Sequence, residues 1–519
     1  MTVSYDLLTQ PWIPCVREDG AAAMLGLQAV LAEAHTLREL GGESPLVTAA
    51  LYRLLLAVLH RVYDGPADPD AWGEIWDARR FDAARLSAYF DRWRDRFDLF
   101  HPERPFYQAA DKRVKSKSVT ALVHHVASGN NATLFDHHTD GGGLTLTSPE
   151  AARMLVAAQS FGMSGLSGLE QKFTSAPWVG AIIFFVLGKT LFETLALNML
   201  EYSEAPALPC RRTAEDRPVW EQDDPFNPDR GQPYGYLDYL TWQNRRIRFF
   251  PEETTEGAIV REMTIAPALQ LTDGLLDPQK HYRNDKKAGW LALRFNEDRA
   301  LWRDSAAIFS ARSSDYHPPL VLGWLSELVG ENLLRKADQQ RILALGMASD
   351  QAKVEFYRSE QWPLPLAYLD EQTGKALVEA LQNITQMTED VSGQLWGATR
   401  TLALLLLKPD ADTQDKSAKI PPEVGNIMKQ WDVKRRYWSR LEIPFRRALE
   451  AVPQDKDAAL TEWQQTLRRV AWEAFNSIAE DLANDPRALK AFVKAQGQLA
   501  GGLKKVLPED GAEAEEAQG

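Results

Sequence analysis

Cysteine is nearly absent from this 519-residue chain, which has only Cys15 and Cys210. Two thiols exclude a disulfide framework and a cysteine-rich zinc site. Long apolar runs are scarce too. The most apolar stretch, Trp178 to Leu187, has about half of the ~20 residues that a membrane span needs. The opening segment MTVSYDLLTQPWIPC has neither the basic start nor the apolar centre of a secretory signal, so a cytoplasmic protein with no membrane partner is expected. There is no GxxxxGK[ST] phosphate loop and no GxSxG elbow, and the nine histidines show no HExxH spacing. Positive charge is in deficit: the net charge of −13 argues against a general nucleic-acid binder.

The residues that are present make a soluble globular protein, 45% hydrophobic and 25% charged. The length suits roughly two to four domains. Sixteen tryptophans supply core and stacking material. Charge is spread unevenly. After Pro508 come Glu509, Asp510, Glu513, Glu515 and Glu516 with no base. Bases cluster elsewhere: Lys112, Arg113, Lys115 and Lys117; Arg245, Arg246 and Arg248; Arg283, Lys286 and Lys287; Lys434, Arg435 and Arg436. Basic islands on an acidic protein fit contact with a phosphate backbone at chosen points. Clusters this short also occur on ordinary solvated faces.

Periodicity divides the chain. Residues 25–63 read as helical, with Leu51, Leu54, Leu55, Val58, Leu59 and Val62 in one stripe. A second amphipathic helix covers about 82–98, and two prolines in HPERPFYQ end it. Residues 109–148 are polar, a loop long enough to be functional. A helix follows with Ser148 as N-cap and stops near Phe161. AIIFFV at 181–186 reads as a buried strand, and 205–300 as antiparallel sheet with irregular loops. Four long helices are predicted at 370–408, 422–451, 456–484 and 486–503; Leu460, Trp463, Leu467, Val470, Ala474 and Ile478 share one face of the third. The predicted fold class is α+β. A large mixed N-terminal domain with antiparallel sheet and helices spans 1–365, a C-terminal four-helix bundle spans 366–505, and an acidic disordered tail spans 506–519.

Three constellations carry candidate chemistry. FDHHTD at 135–140 offers Asp136, His137, His138 and Asp140 as nitrogen and oxygen ligands, which would suit a metal-dependent phosphoester hydrolase. Adjacent histidines usually diverge, so an ordered polar loop is the competing reading. GMSGLSG comprises Gly162, Met163, Ser164, Gly165, Leu166, Ser167 and Gly168. It is either a loop laid against a nucleic-acid groove or a phosphate, or a helix C-cap followed by a turn. GMASDQAKV places Asp350, Gln351 and Ala352 between two apolar stretches, as a hairpin tip would be. A glutamine there can read base edges or part them.

Taken in order, LLTQPWIP, HPERPFYQ, SGNNATLFDHH, GMSGLSG, FVLGKTLFETLALNML, YLTWQNRRIRF, GMASDQAKV and RRYWSRLEIPF resemble the large subunit of the type I-E Cascade complex, the CasA family of CRISPR surveillance proteins. The resemblance runs from residue 7 to about residue 450. It implies a non-enzymatic subunit without a cofactor. Its expected partners are crRNA-bound Cascade subunits, target double-stranded DNA and a helicase-nuclease effector. Such a subunit recognises the protospacer-adjacent motif (PAM), starts strand separation and R-loop formation, and recruits the nuclease. By the same resemblance, Gly162 to Gly168 match the family's minor-groove glycine loop. Asp350, Gln351 and Ala352 match its wedge, with Asp350 where the family can carry asparagine. Phe135, Asp136 and His137 match the long loop that contacts the PAM region and the rest of the complex. The family's minor-groove lysine has no clear counterpart: the aligned PEETTEG is acidic, and Arg261, Lys280, Lys286 and Lys287 are the bases nearby. A purely structural scaffold subunit is the remaining alternative.

Overall fold

Ser44 opens a deeply buried helix. Its hydroxyl accepts from the Val47 amide at 3.3 Å, and Pro45 fills the first turn. Pro45–Tyr63 then runs for 19 residues, apolar on almost every side. Of the predicted stripe, Leu51, Leu54, Leu55, Val58 and Leu59 are buried. Arg53 lies inside as well. Its Nε donates to the Leu240 carbonyl at 2.9 Å, and the rings of Trp178 and Tyr239 cover its guanidinium at 4.7 and 4.8 Å. By length and composition this helix could cross a membrane, a longer candidate than the run from Trp178 to Leu187, yet most of it is buried in the fold. The helices Ser148–Phe161 and Tyr236–Leu240 pack against it. Each leucine so buried contributes about 1.5–3 kcal/mol.

The continuous helix expected over 25–63 is interrupted. Leu27–Ala32 is a short helix, and Leu37–Leu40 is a strand. Tertiary pairing overrides local propensity here: Leu40 and Glu39 pair with Cys15 and Val16 of Ile13–Arg17, whose other edge carries Ala22–Leu25. The cap of a later helix also lies one residue earlier than expected. Thr147, not Ser148, is the N-cap of Ser148–Phe161. The Glu150 carboxylate reaches back to accept from the Thr147 amide and hydroxyl at 2.8 and 2.7 Å. Ser148 is thereby free to donate to the Ala258 carbonyl at 2.8 Å.

Three further antiparallel sheets build the mixed part of the chain. In one, the hairpin Arg245–Thr254 and Gly257–Pro267 holds two short strands on the far edge of its second strand. Lys117–Ser118 pairs with Met263 and Glu262, and Leu146–Thr147 pairs with Val260 and Ile259. In another, the order is Lys353–Pro365, Gln339–Asp350, Ile182–Leu187, the last buried at all six positions. The remaining sheet runs Gly289–Ala292, Tyr282–Asp285, Tyr316–His317.

The structure, a computed structural model, describes residues 3–123, 144–297, 299–310, 315–350, 353–412, 420–482 and 486–507. Two compact units emerge: Met1–Leu301 with Ser310–Leu369, and Trp302–Phe309 with Asp370–Gly519. In the second unit Gly374–Leu407 is the central helix. Trp463 donates to Ile384 O and Thr388 Oγ1 at 3.2 and 3.1 Å, and Tyr437 donates to Thr388 O at 3.0 Å. Trp302 stacks on Phe445 at 4.4 Å, and Arg303 lies over Trp438 at 3.7 Å. The helix expected over 422–451 is two helices, Pro422–Trp431 and Val433–Ala451, joined at Asp432 in the left-handed region with φ 48°. Trp431 and Val433 are both buried. On one straight helix they would lie about 200° apart, so the break lets both reach the core. The helix expected over 456–484 ends at Asn476 and is followed by the short Ala479–Leu482; the fourth is Pro486–Val506.

Candidate nucleic-acid interface

The Ser148–Phe161 helix ends at Gly162, and the chain leaves and returns at that residue. The Gly162 amide donates to Ala158 O at 2.9 Å, while its carbonyl accepts from the Ala176 amide at 2.8 Å. Inside the loop, Gly165 and Phe173 exchange both backbone hydrogen bonds at 3.1 and 3.0 Å. Further out, the Ser167 hydroxyl accepts from the Leu169 amide at 3.0 Å and donates to Gln171 O. The three glycines are there for different reasons. At Gly162 a Cβ would stand 2.7 Å from Ala158 O and 3.1 Å from Arg245 Nε. Gly168 has φ +76°, a conformation that side chains disfavour. Gly165 has neither constraint: its φ is not in the left-handed region, and a Cβ would meet nothing within 4 Å. No packing or backbone constraint among the described residues therefore requires the missing side chain at Gly165. Beside it Leu166 is 87% exposed, Ser164 is exposed and Met163 is half-buried.

Arg245 holds the base of this loop. It is 3% exposed. Its Nη2 donates to Met163 O and Thr174 O at 2.7 and 2.8 Å, and Nη1 donates to Asn244 O at 3.0 Å. The guanidinium lies over Phe173 at 4.8 Å. Burial pulls its pKa down to about 10, so it stays charged at neutral pH. Composition groups Arg245 with Arg246 and Arg248 as one basic island, and the structure divides them. In RRIRFF, strand alternation puts Arg245 on the inner face with Ile247 and Phe249, all buried. Arg246 and Arg248 fall on the other face, where Arg246 is 3.7 Å from Asp111 and Arg248 donates to Pro102 O at 2.9 Å. That period of two is the signal by which sequence could have found the clamp.

The second element is the hairpin Gln339–Asp350 and Lys353–Pro365. Ile182–Leu187 pairs only with Arg341 to Gly346, whereas the hairpin pairing continues to Asp350 and Lys353. Four residues of its first strand thus overhang the sheet, about 13 Å at strand spacing. The strands flank Gln351 and Ala352, which lie outside the described residues, as do Phe135, Asp136 and His137. So does FDHHTD as a whole. Among the described residues, no group of three or more His, Cys, Asp or Glu is placed to hold a metal ion.

The four candidate bases separate by environment. Lys280 is mostly buried, with 12% of its side chain exposed, donating to Pro177 O at 2.5 Å with Asp277 3.8 Å away. Arg261 pairs with Glu252 and donates to Thr145 Oγ1 at 3.2 Å. Lys286 and Lys287 are exposed at the turn between Tyr282–Asp285 and Gly289–Ala292, beside Trp290, which is 39% exposed. The Asp285 carboxylate is occupied there by the amides of Lys287 and Ala288, each at 2.9 Å.

One short segment, Pro177 to Ile183, joins these elements. It directly follows the glycine loop. Its Pro177 carbonyl takes Lys280, and its Ile182 amide donates to Leu293 O at 2.9 Å, at the foot of the Lys286–Lys287 hairpin. Ala181 abuts Gly346, where the long hairpin begins to overhang.

The family model described as CRISPR-associated protein Cse1 matches residues 6–474. The CasA/Cse1 protein of Thermus thermophilus is 32% identical over 523 residues, covering 96% of this chain and 98% of its own length. The crystal structure of Thermus thermophilus CasA superposes with a TM-score of 0.79 at 28% identity, over 96% of this chain and 99% of that one. A chain of a solved CRISPR RNA-guided surveillance complex shares the fold, with a TM-score of 0.75 at 23% identity, over 96% and 99% of the two chains. A family model spanning most of the sequence and a relative matched nearly end to end place the chain in the Cse1 (CasA) family of CRISPR-associated proteins.

Proposed function

We propose that this chain is the large subunit of a crRNA-guided type I-E Cascade complex. It reads the PAM of double-stranded DNA through the minor groove, begins strand separation and recruits a helicase-nuclease. It acts in the cytoplasm as a binding subunit, without a cofactor or chemistry of its own. The observation that carries this reading is the common root of three projecting elements on Pro177 to Ile183. Gly165 and Leu166 present bare backbone and an apolar tip to the groove. Lys286 or Lys287 supplies the cation that the acidic PEETTEG stretch lacks. Asp350, Gln351 and Ala352 enter beneath the PAM as the wedge, and Phe135, Asp136 and His137 contact the PAM region and the neighbouring subunits.

The physics suits the task. The minor groove carries a degenerate code, so a backbone loop there accepts several related motifs. Target sequence is left to base pairing with the guide. Parting the first step costs a few kcal/mol of stacking, offset as the guide pairs. The test uses the assembled complex and duplexes that share a target but differ in flanking bases. Wild type is expected to prefer a subset of flanks, and Gly165→Trp to lose that preference while still binding a single-stranded target. Equal binding of all flanks by wild type would sink the reading.

A further inference from the structure

We infer that Arg245 is the positioning residue of the glycine loop and sets how sharply this subunit discriminates between flanking sequences; the inference rests on the DNA-reading role proposed above. Arg245 touches no solvent-facing part of the loop tip. It acts through the loop's two strands, binding Met163 O on one and Thr174 O on the other. Both carbonyls lie on the root side of the Gly165–Phe173 bridge and are held by the single nitrogen Nη2, while Nη1 of the same planar fork holds Asn244 O. One guanidinium thus ties the two strands to each other and to Asn244 and sets the attitude of the tip. Phe173, bonded across the loop from Gly165, is also the ring under the guanidinium. A Cβ at Gly162 would overlap Ala158 O at 2.7 Å and crowd Arg245 Nε at 3.1 Å, so the glycine lets the guanidinium lie close to the helix end. Fork, ring and glycine make one built unit.

Charge adds a second effect. Among the described residues no carboxylate pairs with Arg245; its described hydrogen-bond acceptors are carbonyl and amide oxygens. A buried cation without a counter-ion is costly, and neutral side chains can also bind carbonyls. Lys117 lies close enough for its amine to be pushed down by burial and by the Arg245 charge. The Arg245 charge thus stands at the base of the loop without a carboxylate partner among the described residues, and a DNA backbone in front of the loop would supply negative charge.

The experiment uses the assembled guide-RNA complex containing the full chain. The probe is a duplex library with one fixed target and randomised flanking bases, and the bound fraction is sequenced. Arg245→Lys keeps the charge and breaks the fork; Phe173→Leu keeps Arg245 and removes the ring. Arg245→Lys is expected to lower flank enrichment about tenfold, within the range for losing one base-pair contact. Phe173→Leu should lower it roughly two- to threefold, with single-stranded target bound as by wild type. A purely structural role would reduce the active fraction and leave the enrichment profile unchanged, and that profile in either variant overturns the inference. Should Arg245→Lys fail to assemble, Phe173→Leu decides alone. If wild type enriches no flank, the DNA-reading role itself falls, which separates the two failures.

Discussion

Gly346 meets Ala181 so closely that a Cβ on the glycine would overlap the alanine carbonyl oxygen. The contact fixes the point where the 339–365 hairpin parts from the strand Ile182–Leu187. Gly346→Ala is expected to cost about 1–3 kcal/mol, read as a lower denaturant midpoint. Gly165→Ala, with nothing within 4 Å of its Cβ, should change stability by less than about 0.5 kcal/mol. If the two variants melt alike, the assignment of their different roles is wrong.

Gln351→Ala should leave folding and guide-RNA binding intact and slow strand opening beside the PAM. Permanganate reactivity of thymines placed there would fall several-fold. Unchanged opening would remove Gln351 from the wedge.

Lys286 and Lys287 are the exposed lysines among the four candidate bases; Arg261 is exposed too but pairs with Glu252. Replacing both with alanine should weaken duplex binding and reduce the slope of log K against log salt by about one to two, since each phosphate contact contributes ~0.9. The same loss from Lys280→Ala without destabilisation would contradict its mostly buried, structural placement.

Asp216 offers a pH test. Burial pushes its carboxyl up to about 6, against the pull of the Leu237 and Asp238 amides, which it accepts at 3.1 and 2.9 Å. A raised folded pKa means the folded state holds the proton more tightly. This contribution is complete below the usual carboxylate range and is lost as pH rises through about 6. Its size is on the order of 2–3 kcal/mol. The stability of wild type relative to Asp216→Asn should therefore decline as pH rises, and a constant difference in unfolding free energy would refute it.

Much of this architecture was legible because period and punctuation agreed. AIIFFV reads as a buried strand, and the described strand Ile182–Leu187 is buried throughout. Thr147 and Ser148 differ by one position because either hydroxyl can cap, and only the reach of Glu150 decides. The break at Asp432 was not legible, since aspartate is no breaker and the cause is the joint burial of Trp431 and Val433. Nor was the membership of Trp302–Phe309 in the helical unit, which depends on contacts such as Trp302 with Phe445. At the site, the glycine loop could be found from composition, whereas Arg245 was hidden in a basic cluster until strand alternation turned it inward.

Lys117–Ser118 and Leu146–Thr147 occupy successive places on one edge of the strand Gly257–Pro267. The polypeptide between them thus begins and ends within about 10 Å, at ~3.3 Å per residue along that strand. A segment closed so tightly can be lengthened, shortened or exchanged at little entropic cost, because closure grows only with the logarithm of length. Phe135, Asp136 and His137 lie in the sequence between those two strands. The edge of Gly257–Pro267 can thus keep its register whatever the length of the sequence that joins its two short strands.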